Sequence, residues 1–183
     1  MVVSQNVESS ELGAAVLSAG GNAVDAAVAV GFSLAITLPR AGNIGGGGFM
    51  LIYIKDKDEL FSIDYRSSSS LNSNLQKIFG SKSPTQIQED DYDSIKYGYM
   101  ASAVPGTVYG LLEAHEKFGK LSLEEVLLPV INQANEGIIV SYDLHNAIDS
   151  SDQLKQNSES KRIYFRDNEP LPIGSLLKRP DLA

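Results

Sequence analysis

One segment constrains the fold more than any other. Residues Ala23 to Ile36 are almost continuously apolar, and most of their side chains are small. Asn22 stands where it can cap a helix, and Asp25 falls in the first turn, so the pattern predicts a helix that begins after Asn22. A helix that is apolar on every side must be packed on every side. The apolar stretch Ala26 to Thr37 is too short to cross a bilayer, and Pro39 follows it, so we expect a buried helix and no membrane span.

A pair of strands is predicted next. Residues Phe49 to Ile54 and Glu59 to Tyr65 are strand-like runs separated by a short charged segment, which is typical of a hairpin. Both faces of the first run are apolar, so we expect a sheet that is covered on two sides. Helix and hairpin together predict a layered α+β protein.

The rest of the chain carries shorter signals of helix, strand and loop. We predict one helix after Ser9-Ser10 that ends at Ala19, and another that starts at Pro180. Three more are predicted over Thr107 to Lys117, Leu123 to Glu136 and Tyr142 to Ser151. We also predict a long polar excursion over Ser67 to Asp93, a polar linker over Asp152 to Ser160, and a short strand over Ile163 to Phe165.

Composition excludes several classes of function. The net charge is -8 and the basic residues form no cluster, so nucleic acid is not expected as a partner. The chain has no cysteine, which excludes disulfides, thiolate nucleophiles and cysteine metal sites. The two histidines, His115 and His145, are most simply solvated helix residues, so we predict neither a metal site nor a cofactor. No signal peptide is visible at the N-terminus.

The run Gly45-Gly46-Gly47-Gly48 allows two interpretations. A phosphate-binding loop would lie between a strand and a following helix and would normally end in Lys-Ser/Thr. Here the run follows a helix and leads into a strand, so a nucleotide site is the weaker interpretation. The stronger one is a tight backbone passage between packed layers, which glycine permits.

Arg66 is the candidate binding residue. It follows a predicted strand and precedes a polar segment, and its guanidinium could hold a carboxylate in bidentate fashion. The alternative is an internal salt bridge with Asp64 or another acid. No Gly-x-Ser-x-Gly motif occurs, and neither histidine lies near a serine in a recognisable elbow, so we predict no catalytic residue in this chain.

Several segments together resemble the start of the gamma-glutamyltransferase family (glutathione hydrolases). These segments are Gly20 to Ala29, Pro39, Ala41 to Phe49, Ile63 to Arg66, Ala103 to Gly110, and Phe118-Gly119. The resemblance implies an N-terminal-nucleophile hydrolase with an αββα sandwich. Residues 1–183 would be the N-terminal portion of a single domain of this kind, with a helical excursion at about 105–160.

The resemblance also implies a reaction. The precursor cleaves itself before a Thr, which becomes the nucleophile of a small subunit and uses its own amine as a base. That Thr attacks glutathione or another gamma-glutamyl amide, and the glutamyl group passes to water or to an amino acid. The nucleophile would lie beyond this chain, so we expect the 183 residues alone to be inactive. The implied partners are a gamma-glutamyl substrate and the small subunit, and the implied location is periplasmic or secreted.

Within this resemblance, Arg66 matches the family's arginine for the glutamyl α-carboxylate. The family typically continues Arg-Glu-x-Ala-Pro, whereas here Arg66 is followed by four serines, Ser67 to Ser70. Arg40 stands where relatives commonly have a neutral residue. Two alternatives stay open: an acylase of the same superfamily that acts on a different amide, and a truncated or non-catalytic module that binds glutamyl compounds.

Overall fold

The computed structural model describes residues 1–71, 79–88, 96 and 101–183. Its helices, labelled in chain order, are α1 (Val7–Ser18), α2 (Ala23–Thr37), α3 (Thr107–Phe118), α4 (Leu123–Glu136), α5 (Tyr142–Asp149), α6 (Asp152–Gln156) and α7 (Ser158–Tyr164). Its strands are β1 (Phe49–Ile54), β2 (Glu59–Asp64), β3 (Ile138–Ile139), β4 (Phe165–Arg166), β5 (Glu169–Pro170) and β6 (Leu176–Leu177). Short 3-10 turns occur at Lys55–Lys57 and Pro84–Gln86.

Helix α2 forms the centre of the core, as its composition predicts. Asn22 caps it by accepting hydrogen bonds from the backbone N–H groups of Val24 and Asp25. Val28 and Ala29 are fully buried, and α2 packs against α1, α3 and α4. The helix therefore lies inside the structure. Among the described residues, no helix is both long enough and apolar enough to cross a membrane.

The predicted hairpin is present, but the described residues cover only one of its faces. Strands β1 and β2 pair antiparallel. Ile52 and Ile63 are 7% exposed on the inner face, whereas Phe49, Leu51 and Tyr53 are 58–73% exposed on the outer face. Alternate side chains of a strand point to opposite faces, and the described helices pack on one side only. The expectation of cover on both sides is not met within the described part of the chain.

The C-terminal part corrects several local predictions. The segment expected to be a polar linker forms α6 and α7, because Asn157 caps α7 by accepting a hydrogen bond from the Ser160 backbone N–H. Ile163 therefore lies in a helix, and the strand expected there is reduced to Phe165 and the residue that follows. Pro180 lies in a turn rather than a helix. The polar excursion predicted over residues 67–93 falls partly outside the described residues.

Helix α1 starts earlier than its serines predict. Asn6, not Ser9 or Ser10, is the cap, and its side chain accepts from the Ser9 backbone N–H at 3.0 Å. Ser9 is then free to point inward. Its hydroxyl lies 2.8 Å from those of Ser33 and Thr37, and Ser33 donates to the Gln133 side chain at 2.7 Å. A buried hydroxyl network therefore joins α1, α2 and α4.

One carboxylate is fully buried in the described structure. The side chain of Asp25 accepts hydrogen bonds from the backbone N–H groups of Asn22, Lys120 and Leu121 at 2.8–3.3 Å. The Asn22 side chain in turn donates to the carbonyl of Phe118 at 2.6 Å. The start of α2 is thus fastened to the loop between α3 and α4.

Candidate functional site

The end of β2 meets the glycine tract, defined as Gly45 to Gly48. The backbone N–H of Tyr65 donates to the Gly48 carbonyl at 3.0 Å, and the Gly48 N–H donates back to the Tyr65 carbonyl at 3.3 Å. This exchange continues the β1–β2 pairing by one residue on each side. The chain immediately before Arg66 is therefore held by backbone hydrogen bonds.

A third segment, Val104 to Thr107, closes the junction. The Gly46 carbonyl accepts hydrogen bonds from the N–H groups of Gly106 and Thr107 at 2.8 and 3.2 Å. Ser68 and Val104 exchange two further backbone hydrogen bonds at 2.8 and 3.1 Å. Arg66 therefore lies between two anchored residues in the backbone, Tyr65 and Ser68.

Two of the glycines at this junction are required by close approach. A Cβ atom on Gly47 would lie 2.3 Å from the Ser67 nitrogen, and one on Gly106 would lie 2.0 Å from the Tyr65 carbonyl oxygen. These neighbours are backbone atoms that cannot swing away, so a larger residue would force the segments apart. This geometry supports the interpretation of the tract as a tight backbone passage.

Arg66 is exposed at this junction. Its backbone N–H donates to the Asp64 carboxylate at 2.9 Å, so Asp64 contacts the main chain of Arg66. Among the residues that the structure describes, no carboxylate pairs with the Arg66 guanidinium. Arg40, also exposed, instead pairs with both carboxylate oxygens of Asp143 at 2.8 and 3.0 Å. The internal salt bridge weighed for Arg66 is therefore not found within the described chain.

Tyr65, beside Arg66, is half-buried. Its ring lies against Gly48 of the glycine tract and against Gly110 of helix α3. Burial removes the phenol from water and raises its pKa above the ordinary value. The sequence pattern assigned Tyr65 only to the end of a strand, because its two glycine neighbours are distant along the chain.

Both histidines have structural partners, which corrects the expectation that they are solvated. His115 is 13% exposed in its side chain, and its Nε2 donates to the Leu121 carbonyl at 3.0 Å and lies 3.6 Å from Asp25. His145 donates from Nδ1 to the Leu171 carbonyl at 2.8 Å. Within the described ranges, no three His, Cys, Asp or Glu side chains are grouped as a metal site would require. The structure assigns no catalytic role to either histidine.

Comparison with known proteins gives this geometry its context. The family model for gamma-glutamyltranspeptidase matches residues 9–183. The chain belongs to this family. It corresponds to the N-terminal part of the large subunit, which confirms the resemblance found in its sequence motifs.

Relatives with curated names agree. The chain is 42% identical to the glutathione hydrolase proenzyme of Pseudomonas aeruginosa over 94% of its own length and 29% of that protein. It is 37% identical to the glutathione hydrolase proenzyme of Escherichia coli, covering all of this chain and 31% of the relative. The chain thus spans less than a third of the length of these relatives.

Solved structures extend the agreement to the fold. The gamma-glutamyltranspeptidase of Helicobacter pylori superposes on the whole chain with a TM-score of 0.89 and 32% identity, and the chain covers 51% of that structure. The transpeptidase CapD of Bacillus anthracis gives a TM-score of 0.75 at 31% identity. This match covers 99% of this chain and 54% of the CapD chain. The fold is therefore the α+β fold of the N-terminal-nucleophile hydrolases.

Proposed function

We propose that the protein containing this chain is a gamma-glutamyl hydrolase or transferase that acts on glutathione and other gamma-glutamyl amides. The observation that carries this proposal is the placement of Arg66 in a chain of this family. Its backbone is anchored between Tyr65 and Ser68, and its exposed guanidinium has no carboxylate partner among the described residues. The names of the curated relatives, glutathione hydrolase proenzymes, support the same substrate class.

In this proposal Arg66 binds the α-carboxylate of the glutamyl group. Guanidinium is planar and presents two parallel N–H donors, which match the two oxygens of a carboxylate better than lysine does. A fixed main chain reduces the conformational entropy that is lost when such a contact forms. The Ser67 to Ser70 run follows Arg66 directly, so its first residues would border the same carboxylate site.

The chemical step is proposed to use residues outside this chain. The hydroxyl of a Thr released by self-cleavage would attack the gamma-glutamyl carbonyl, with the free amine of the Thr as base. The amide C–N bond would break, the amine product would leave with the transferred proton, and water or an amino acid would resolve the glutamyl ester. The small subunit that begins with this Thr would complete the site. The word proenzyme in the names of the relatives supports such a precursor, and a periplasmic or secreted location is proposed on the same family grounds.

The substitution Arg66→Ala in the full-length protein tests the binding role. Leaving a buried substrate carboxylate unpaired costs roughly 2–5 kcal/mol, which corresponds to roughly 30- to 3,000-fold in affinity. We therefore expect a steep rise in KM for a chromogenic gamma-glutamyl anilide. Self-cleavage, followed by gel electrophoresis, should be largely intact because cleavage does not use the substrate.

Arg40→Ala is the matched control. Arg40 is also an exposed arginine, but its guanidinium is already paired with Asp143, so its removal should leave KM near the value for the unmodified protein. A normal KM in Arg66→Ala would contradict the substrate-binding role. Lost processing with a normal KM in the surviving enzyme would instead indicate that Arg66 is structural.

Two further proposals concern the chain itself. Residues 1–183 are proposed to be the N-terminal portion of one domain, with the helices at about 105–160 as an excursion from it. Taken alone, these 183 residues should release no aniline from a gamma-glutamyl anilide above a heat-killed control. Clear release would overturn the assignment of the nucleophile to a residue outside the chain.

A further inference from the structure

We propose that Tyr65 is the residue that positions Arg66 for carboxylate binding, and that it does so through the shape of its ring. The inference rests on the proposed function of Arg66. It assigns Tyr65 no contact with the substrate. The ring of Tyr65 packs between the glycine tract and helix α3. This packing fixes the backbone position from which the Arg66 side chain extends.

The ring of Tyr65 occupies a slot that two glycines open. A Cβ atom on Gly110 would lie 2.1 Å from Cγ of the ring, and a Cβ atom on Gly48 would lie 2.9 Å from Cε2. Both distances are too short for a real carbon contact, so the ring lies directly against the backbone of two different elements. A displacement of Tyr65 toward either glycine would push the glycine tract or α3 aside.

The position of the ring is transmitted to Arg66 by the backbone. Consecutive Cα atoms are held about 3.8 Å apart by a planar peptide, so Arg66 follows any shift of its neighbour. The other side of Arg66 is also confined, because a Cβ atom on Gly47 would lie 2.9 Å from the Arg66 carbonyl carbon. The base of the Arg66 side chain is therefore set by packing around Tyr65, together with the backbone hydrogen bonds of Tyr65, and not by contacts of the guanidinium.

The hydroxyl of Tyr65 is not needed for this role. Among the described residues, this hydroxyl has no hydrogen-bond partner, although its oxygen lies near Gly48. A phenylalanine ring has the same outline within the slot. A leucine is shorter and not planar, so it would leave the slot partly empty and allow the glycine tract to shift.

The experiment uses the full-length, self-processed protein and a gamma-glutamyl anilide. Tyr65→Leu should raise KM about ten- to a hundredfold and leave kcat within about twofold, because misplacement by about 1 Å can cost this much and the lost term is substrate binding. Tyr65→Phe should restore KM to within about twofold of the unmodified protein. A normal KM in Tyr65→Leu, or a raised KM in Tyr65→Phe, would overturn the proposal.

A second variant covers the case in which Tyr65→Leu does not fold. Gly110→Ala keeps Tyr65 and Arg66 in the sequence but adds a methyl group that overlaps the ring, so the ring must shift and KM should rise in the same way. Gly31→Ala in α2 is the matched control, because the three atoms nearest to its added methyl belong to the Leu111 side chain and not to Tyr65. Equal KM values for the two alanine variants would contradict the positioning role of the Tyr65 ring.

A double-mutant cycle separates this inference from the proposed function. If Tyr65 acts through Arg66, Tyr65→Leu should change KM by less than about twofold in the Arg66→Ala background. An undiminished effect there would show that Tyr65 acts independently of Arg66, which overturns the positioning role alone. A normal KM in Arg66→Ala by itself would overturn the binding role of Arg66 and the positioning role with it.

Discussion

Two charged residues of this chain, Asp25 and Arg66, occupy opposite situations. The Asp25 carboxylate is completely buried, and three backbone N–H groups donate to it. The Arg66 guanidinium is exposed, and the described residues offer it no carboxylate. Both residues lie at an element boundary, so the difference comes from what the surrounding chain supplies.

The contrast separates a structural charge from one available to a ligand. A buried charge whose hydrogen bonds are all made within the fold has no capacity left for a substrate, and its removal leaves donors unpaired. A charge whose main chain is fixed while its head group has no partner can bind a ligand without first breaking a contact. The predictions below test this division, from the largest expected effect on stability to the smallest.

Asp25→Ala should cause the largest loss of stability. It would remove the fully buried carboxylate that accepts from the backbone N–H groups of Lys120 and Leu121, at a cost of roughly 3–5 kcal/mol in the free energy of unfolding. Asp64→Ala is the matched control, since Asp64 is exposed and accepts one backbone N–H, and it should cost less than about 1 kcal/mol. Denaturant unfolding measures both. Equal losses in the free energy of unfolding would contradict the prediction that the buried carboxylate stabilises the fold more than the exposed one.

Local signals explain why much of the fold could be predicted from sequence. Asn22 and Ser122 cap their helices within three residues, so the starts of α2 and α4 are encoded in short stretches. The hairpin is equally local, because its charged connection separates two adjacent strands. The placement of Arg66 at the exposed end of β2 followed from the same local pattern.

The errors arise where local signals are weak or where the partner is distant. Helix α7 has few apolar residues, so no apolar periodicity predicts its start at the Asn157 cap. Strand β3 pairs with β6 through Ile138 and Leu177, and neither short run predicts the other. The slot around Tyr65 depends on Gly110, which is far along the chain. Contacts of this kind come from tertiary packing and not from residue spacing.

Ser33→Ala tests a buried polar site that carries no charge. The Ser33 hydroxyl links the buried Ser9 hydroxyl to the half-buried Gln133 side chain, so its removal would take one hydrogen-bond partner from each, at about 1–3 kcal/mol. Ser18→Ala is the control, because Ser18 is an exposed helix serine whose hydroxyl donates to the Ala14 carbonyl, and it should change stability by less than about 0.5 kcal/mol. If Ser33→Ala lost no more stability than Ser18→Ala, the buried hydroxyl network would not contribute measurably to the stability of the fold.

Ser122→Ala tests an exposed site in which the polar groups are nevertheless paired. The Ser122 hydroxyl and backbone N–H both donate to Glu125, which lowers the pKa of that carboxyl below its ordinary value. A lowered folded pKa means that the contribution to stability is present above the unfolded pKa and is lost as the pH falls through the folded value. Unfolding at neutral pH and at decreasing pH measures this. We expect Ser122→Ala to lower the free energy of unfolding by less than Ser33→Ala does. We also expect the stability of this variant to fall less steeply as the pH is lowered. An unchanged pH dependence would contradict the role of Ser122 as a cap.

The smallest expected change in stability is that of Arg66→Ala, the variant with the large expected effect on KM. The hydrogen bond from the Arg66 backbone N–H to Asp64 survives the substitution, as does the pairing of Ser68 with Val104. The lost guanidinium is exposed and has no carboxylate partner in the described chain, so the free energy of unfolding should change by less than about 0.5 kcal/mol. Stability and KM would then change independently at this position, whereas at Asp25 any loss of activity should follow from loss of the fold. Denaturant unfolding of Arg66→Ala beside Arg40→Ala gives the measurement. A loss above about 2 kcal/mol at Arg66 alone would place it with Asp25 as a structural charge.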